Sequence, residues 1–362
     1  MHRILLLALL AGTLSPCVSA GEPAPGSRTT VRLGLLRAVP EKWNLERNFE
    51  TFLEFLETTR GHGVDIVITP ECWLDGYAAP ADDSTRERIL SVAQKPDESP
   101  YLRRVAREAR ERSMWICFGF TSLENDRAFN AAGLWDAAGE LVGVYHKTHI
   151  QTHDVQYDRG ESLPVWPSPW GPLGIMICAD RRWPETARTL RLQGAKIILN
   201  PTYGFHNDLN EAMMRTRSFE NQCFIAFAHP EESLVTGPKG EIVAQEKDSR
   251  GVLMCEIDVS RARDDNHLQD RRPDLYGAIV EWLPSARLGW ERRPSWKPGT
   301  WTGHDSREMR RMLWTRWARS GGAIPWGRGT GTSGPERRAG TRAWLSCWAS
   351  TPRPATPPAR RF

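Results

Sequence analysis

Apolar residues along this chain follow two periods, which alternate between about residues 21 and 283. Short continuous apolar runs predict strands buried on both faces, and apolar residues recurring every three or four positions predict amphipathic helices. Leu45, Phe49 and Phe52, for example, share one helical face. The predicted strands are 29–38, 64–71, 114–122, 128–136, 140–147, 173–178, 196–202, 223–230 and 251–259, with a hairpin at 235–245. The predicted helices are 44–63, 99–113, 184–195 and 210–222.

Strands outnumber helices in this pattern. Alternation of the two favours an α/β fold, in which helices cover the outer faces of sheets. An excess of strands suits two sheets packed together better than one. The sequence therefore predicts one α/β domain over residues 21–283, with two sheets covered by helices.

The first twenty residues have the pattern of a secretory signal peptide. A basic residue, Arg3, precedes an apolar run from Ile4 to Leu10, and the small residues Ser19 and Ala20 suit a cleavage site. The apolar run is shorter than the roughly 18 residues that a membrane-spanning helix needs. We therefore expect export to the periplasm or the extracellular space, with no membrane anchor.

The net charge of +4 divides unevenly along the chain. Residues 284–362 carry 16 Arg and Lys against 4 Asp and Glu, so the rest of the chain has a net charge of −8. This tail contains eight tryptophans but no valine, and one isoleucine. Because so few aliphatic side chains are available for a core, the composition predicts disorder. A nucleic-acid-binding arm is an alternative, and GC-rich coding sequence read out of frame gives the same composition.

The sequence contains seven cysteines, and their state depends on whether the protein is exported to an oxidising compartment. Cys17 falls within the predicted signal peptide, which leaves an even set of six. An even number in an exported protein suggests disulfides. These six, however, are spread over most of the chain, and several lie within apolar runs. We therefore predict buried free thiols at most of them, and the six are Cys72, Cys117, Cys178, Cys223, Cys255 and Cys347.

Three reactive side chains lie at the carboxyl ends of predicted strands, where α/β proteins commonly build their sites. Glu71 ends one predicted strand, Lys147 another and Cys178 a third. Each alone is also compatible with a solvated strand end or, for Cys178, with a small core residue. Together they supply a nucleophile, a base and a positive charge for an oxyanion. The set therefore predicts acyl transfer through a thioester.

The segments "TPECWLDGY", "YHKTHI" and "IMICADRRWPE" resemble, in order and spacing, the Glu, Lys and Cys motifs of the nitrilase superfamily of carbon-nitrogen hydrolases. "RRPDLYGAI" resembles the usual close of that domain. The segment "CADRRWPE" is most similar to the N-carbamoyl-D-amino acid amidohydrolase branch. The resemblance covers about residues 31–283.

This resemblance implies an α-β-β-α sandwich that dimerises, a small-molecule amide or carbamoyl substrate, and neither metal nor cofactor. It makes Glu71 the general base, Lys147 the oxyanion stabiliser and Cys178 the nucleophile. The backbone N–H that follows Cys178 would complete the oxyanion hole.

The charged residues after Cys178 have two interpretations. Asp180 and Arg181 are expected to fix the turn through ion pairs, whereas the role of Arg182 is left open. In the carbamoylase-like proteins the paired arginines help to hold the substrate carboxylate, which a guanidinium can bind with two hydrogen bonds, so Arg181 and Arg182 are both included in the predicted substrate-binding set.

Relatives in this family commonly carry a second active-site glutamate after the lysine. Here Asp154 and Glu161 are the acidic candidates, while His153 or Gln156 could occupy the same position. We assign Asp154 to the substrate-binding set. The three histidines His146, His149 and His153 fit no standard zinc spacing with a further ligand, so no metal site is predicted there.

The predicted function is hydrolysis of a nonpeptide carbon–nitrogen bond, with release of ammonia. A nitrilase that acts on a C≡N bond would use the same residues. A non-catalytic binding module is the alternative from a different class.

Overall fold

The computed structural model describes residues 26–247, 250–263 and 266–280. The predicted signal peptide at 1–20 and the predicted tail at 284–362 lie outside the described residues, as do both ends of the predicted domain. Within the described part of the chain, no helix is long and apolar enough to cross a membrane.

The first sheet has six strands in the order β12-β1-β2-β3-β4-β5. They are β1 (Thr30–Arg37), β2 (Ile66–Ile68), β3 (Trp115–Glu124), β4 (Arg127–Trp135), β5 (Leu141–His146) and β12 (Gly251–Asp258). β2 is parallel to β1 and β3, whereas β3, β4 and β5 form an antiparallel meander. β2 and β5 therefore run in the same direction, and their carboxyl ends lie at the same edge of the sheet.

The second sheet has the order β11-β10-β9-β8-β7-β6. Its strands are β6 (Val165–Trp166), β7 (Leu173–Ile175), β8 (Ile197–Pro201), β9 (Phe224–Ala228), β10 (Glu232–Thr236) and β11 (Ile242–Lys247). β7, β8 and β9 are parallel to one another. The segments that follow these three strands consequently leave the sheet at the same edge.

The described residues form six helices: α1 (Leu45–Thr58), α2 (Arg86–Val92), α3 (Pro100–Arg112), α4 (Pro184–Leu192), α5 (Asp208–Asn221) and α6 (Gly277–Val280). The Asn44 side chain accepts the Arg47 N–H at the start of α1. Pro184 stands in the first turn of α4, where its missing N–H costs nothing. Local capping therefore sets these boundaries.

The residues of each strand alternate between two cores. On β8, Ile197 and Leu199 join the core between the sheets, whereas Ile198 packs on the other face with Leu190 of α4 and Met214 of α5. On the outer face of the first sheet, the core is formed with α1 and α3. The layers are thus helix, sheet, sheet and helix, and the predicted α-β-β-α sandwich is confirmed.

The predicted element types are right for all the long segments, and the differences lie in short ones. The helix α2 and the strand β6 were not predicted, because seven and two residues are too few to show a period. The strand predicted at 173–178 ends at Ile175. Cys178 therefore stands beyond the strand, in a turn.

The cysteines of the described chain are free thiols. Cys72, Cys117, Cys178 and Cys223 are buried and Cys255 is half-buried, so the prediction of free thiols is confirmed for these five. Cys347 lies outside the described residues.

Candidate active site

The turn after β7 holds Cys178 in a conformation that L-residues seldom adopt. Its φ is +45°, in the left-handed region, and a short 3₁₀ turn (Cys178–Arg182) follows. The buried carboxylate of Asp180 accepts the Ile177 N–H, the Tyr145 hydroxyl and the His149 N–H. These hydrogen bonds fix the turn from behind, as was predicted for Asp180, and they present the thiol at the edge of the sheet.

Glu71 is fully buried and accepts three hydrogen bonds. Asn130 Nδ2 and Lys147 Nζ each donate to Oε1 at 2.7 Å, and Tyr203 N–H donates to Oε2 at 2.9 Å. A carboxylate has about four acceptor positions. Among the described residues these are the donors to Glu71, so one acceptor position on Oε2 is left to receive a proton.

Lys147 lies between two carboxylates and is fully buried with them. Its Nζ is 2.7 Å from Glu71 Oε1 and 2.6 Å from Asp154 Oδ2. Burial opposes the charged amine, but the negative charges of Glu71 and Asp154 outweigh burial and hold the pKa of Lys147 well above its usual value. The amine is therefore held as a cation in a buried site.

Asp154, and not Glu161, is the second carboxylate of the site. Its Oδ1 accepts the Tyr77 hydroxyl at 2.7 Å, and His153 Nε2 lies 3.0 Å from the same hydroxyl. Glu161 is exposed and pairs with Arg127. Burial tends to raise the pKa of Asp154, but Lys147 beside it brings that pKa below its ordinary value.

Cys178 faces this charged group, and its thiol is protonated at neutral pH. Burial and the negative charge of Glu71 raise the pKa of the thiol, while the positive charges of Lys147 and Arg181 lower it in part. The net pKa is above the ordinary value. Attack by the sulfur therefore needs a base, and Glu71 has the acceptor position for it.

The two arginines after the cysteine occupy different environments. Arg181 is buried, with Nε donating to Asn210 Oδ1 at 2.7 Å and Nη1 lying 3.6 Å from Cys178 Sγ. Arg182 is exposed and donates to Gln151 Oε1 at 2.7 Å. Arg181 thus forms a wall of the site, whereas Arg182 lies at its solvent side.

A loop after β8, residues 202–206, closes the site and was not predicted to contribute. The Tyr203 N–H binds Glu71, and the Phe205 carbonyl accepts Arg181 Nη2 at 2.7 Å. A Cβ built on Gly204 would lie 2.8 Å from Cys178 Sγ. The loop makes these contacts through main-chain atoms, so no side-chain motif in the sequence predicts them.

Asn130 was also missed, although its sequence context carries a signal. It is the polar residue in the otherwise apolar run "AFNAAGLW", and the structure buries it completely on β4. A buried amide needs hydrogen-bond partners, and one of its partners is Glu71.

The three histidines near the lysine motif are held by separate contacts. His146 stacks on Phe129, and His149 Nδ1 lies 2.7 Å from Asp180 Oδ1. His153 contacts Tyr77.

The arrangement as a whole is suited to acyl transfer. It combines a protonated thiol, a carboxylate with one vacant acceptor position and a fixed ammonium group in a buried site.

Known proteins are similar to this chain in sequence and in fold. A family model described as carbon-nitrogen hydrolase matches residues 32–266. A Pseudomonas protegens protein described as "Hydrolase in pqqF 5'region" is 29% identical over 279 residues, covering 71% of this chain and 94% of that protein. The N-carbamoylputrescine amidase of Arabidopsis thaliana is 26% identical over 256 residues, covering 60% of this chain and 85% of the relative. A solved mutant of the Nesterenkonia AN1 amidase from the nitrilase superfamily has a TM-score of 0.60 at 21% identity, covering 71% of this chain and 99% of that chain.

Proposed function

The chain belongs to the carbon-nitrogen hydrolase family, and we propose that it hydrolyses a small amide or N-carbamoyl compound through a thioester on Cys178. One observation carries the proposal. Glu71 keeps one acceptor position, on Oε2, and the charge of this carboxylate acts on the protonated, buried thiol of Cys178.

The first step is attack of the sulfur on the substrate carbonyl carbon. The thiol proton passes to Glu71 as the C–S bond forms, and the carbonyl π electrons move to the oxygen. Lys147 Nζ and the N–H of Ala179 stabilise the oxyanion. Because Lys147 and Glu71 are buried, the oxyanion donors act in a low dielectric, where such stabilisation is strongest.

The second step expels ammonia. The oxyanion re-forms the carbonyl, the C–N bond breaks, and Glu71 returns its proton to the departing nitrogen. The thioester remains on Cys178. A water molecule then attacks it with Glu71 as the base, and the products are a carboxylic or carbamic acid and the free thiol.

Arg182 is the candidate for recognising a substrate carboxylate. Arg181 is committed to Asn210, Phe205 and the sulfur, whereas Arg182 is exposed and contacts a glutamine. An exposed guanidinium can exchange that contact for a carboxylate at little cost. The Arabidopsis relative is named as an N-carbamoylputrescine amidase, which supports an amide or carbamoyl substrate.

A panel of purified substrates tests the proposal. We expect ammonia release from primary amides or from N-carbamoyl amino acids and amines, with little from the matching nitriles. Preferred turnover of nitriles would replace the amidase assignment with that of a nitrilase. Absence of turnover from the whole panel, with no acyl adduct on Cys178, would favour the binding-module alternative.

Glu71→Gln should lower kcat by about 10²–10⁴-fold, because the amide cannot accept the thiol proton. The measurement is steady-state ammonia release on the best substrate of the panel. Glu161→Gln is the matched control, since that exposed carboxylate pairs with Arg127 at the surface, and it should retain turnover. Equal losses in the two variants would contradict the role of Glu71.

A further inference from the structure

A second group of polar side chains lies beside the loop that closes the site. It consists of His206, His229 and Glu231, and one potential ligand atom from each lies within 4.8 Å of the others. His206 precedes α5, whereas His229 and Glu231 lie in the connection from β9 to β10. The proposed acyl transfer uses none of the three.

We propose that His206, His229 and Glu231 bind a divalent transition-metal ion, with Zn²⁺ as the representative ion. Two imidazoles and one carboxylate are a common zinc ligand set, completed by water. His229 is buried, His206 is half-buried and Glu231 is exposed, so the cluster opens to solvent on one side. An ion can enter there and keep a water ligand.

The geometry needs a small contraction to hold the ion. Tetrahedral zinc with ligands at about 2.0–2.2 Å places them roughly 3.3 Å apart. His206 Nε2 and Glu231 Oε2 are 3.9 Å apart. Both belong to the accessible members of the cluster, so rotation of their side chains brings the atoms together while the buried His229 stays in place.

The ring of the buried His229 is held in place by its neighbours. The Glu231 N–H donates to Nδ1 at 3.0 Å, and this contact orients the ring against its neighbours Phe227 and Tyr203. An ion bound at Nδ1 displaces that hydrogen bond, so moderate affinity is expected.

The position of the cluster gives the ion a structural effect. His206 ends the loop 202–206, whose residues Tyr203 and Gly204 contact Glu71 and Cys178. An ion shared by His206 and the β9–β10 connection would fix that loop to the second sheet. The ion takes no part in bond breaking, so the test of this proposal is independent of the proposed function.

The test uses the full chain carrying Cys178→Ser, so that the thiol of the active site cannot bind the ion. We expect one Zn²⁺ per chain in equilibrium dialysis and a rise in Tm on adding ZnCl₂. His206→Ala and Glu231→Gln in the same background should each weaken binding by at least about 10-fold and remove the rise in Tm. His62→Ala, at an exposed histidine elsewhere, is the control and should bind as the parent does.

Co²⁺ identifies the ligands directly. Its bound spectrum should show the visible d–d bands of a nitrogen and oxygen site, without a thiolate charge-transfer band. No stoichiometric ion in the parent, or equal binding in the parent and in both cluster variants, would overturn the proposal. A thiolate charge-transfer band would also overturn the proposal, because it would show that a cysteine binds the ion.

Discussion

Cys178→Ser should lower turnover by at least about 10⁴-fold while the fold is retained. The substitution changes one buried atom, so packing around the turn is preserved. A serine hydroxyl is a far weaker acid than a thiol, and a carboxylate such as Glu71 cannot activate it. Steady-state ammonia release measures the loss, and the melting temperature shows that the fold persists.

Mass spectrometry of the wild type quenched during turnover should find the acyl group on the Cys178 peptide. Cys72→Ser is the matched control. Cys72 directly follows Glu71, but burial raises the pKa of its thiol well above the usual value and its sulfur faces Tyr157. This variant should keep most of the activity. An acyl adduct on Cys72 would overturn the assignment of the nucleophile.

Lys147→Met should damage both catalysis and stability. Loss of an oxyanion donor costs about 10²–10³-fold in kcat. The substitution also leaves the carboxylates of Glu71 and Asp154 buried without their cation. Breaking a buried ion pair by removing one partner costs about 3–5 kcal/mol of the free energy of unfolding. Urea denaturation and steady-state kinetics measure the two effects.

The pH dependence separates this electrostatic cause from simple loss of packing. Lys147 lowers the pKa of Asp154 in the wild type against the effect of burial. Without Lys147, burial raises that pKa, so Asp154 takes up a proton as the pH falls and the loss of stability should shrink. Lys95→Met removes an exposed ion pair with Glu98 and should cost less than about 1 kcal/mol. A similar cost at both positions would contradict the assigned role of Lys147.

The fold and the three reactive side chains were predictable because each left a strong local pattern. Buried strands such as β8 are continuous apolar runs, and α1 shows a clear helical period. Glu71, Lys147 and Cys178 each follow a strand. In this fold the parallel directions of β2 and β5 then bring Glu71 and Lys147 to one edge. The order of strands in the sheets is a tertiary property that periodicity does not contain.

The remainder of the site depends on contacts between residues distant in sequence. Asp154 was predicted to bind the substrate, but in the structure one of its oxygens accepts a hydrogen bond from Tyr77 and the other from Lys147. Four candidates for that position stood within nine residues, and only the path of the loop distinguishes them. Tyr203 contributes a main-chain N–H that every residue type except proline possesses, so its identity carried no signal.

The close approach of Gly204 to the reacting sulfur bears on how this gene can diverge. At position 203 the group that binds Glu71 is a main-chain N–H. Any residue except proline keeps this hydrogen bond. At position 204 even a methyl group would lie 2.8 Å from Cys178 Sγ, closer than such atoms pack. Selection at these two adjacent positions therefore acts on different properties, the main-chain hydrogen bond at 203 and the size of the side chain at 204. Position 203 must avoid proline to keep its N–H, whereas any side chain at position 204 would require the reacting sulfur or the loop to shift.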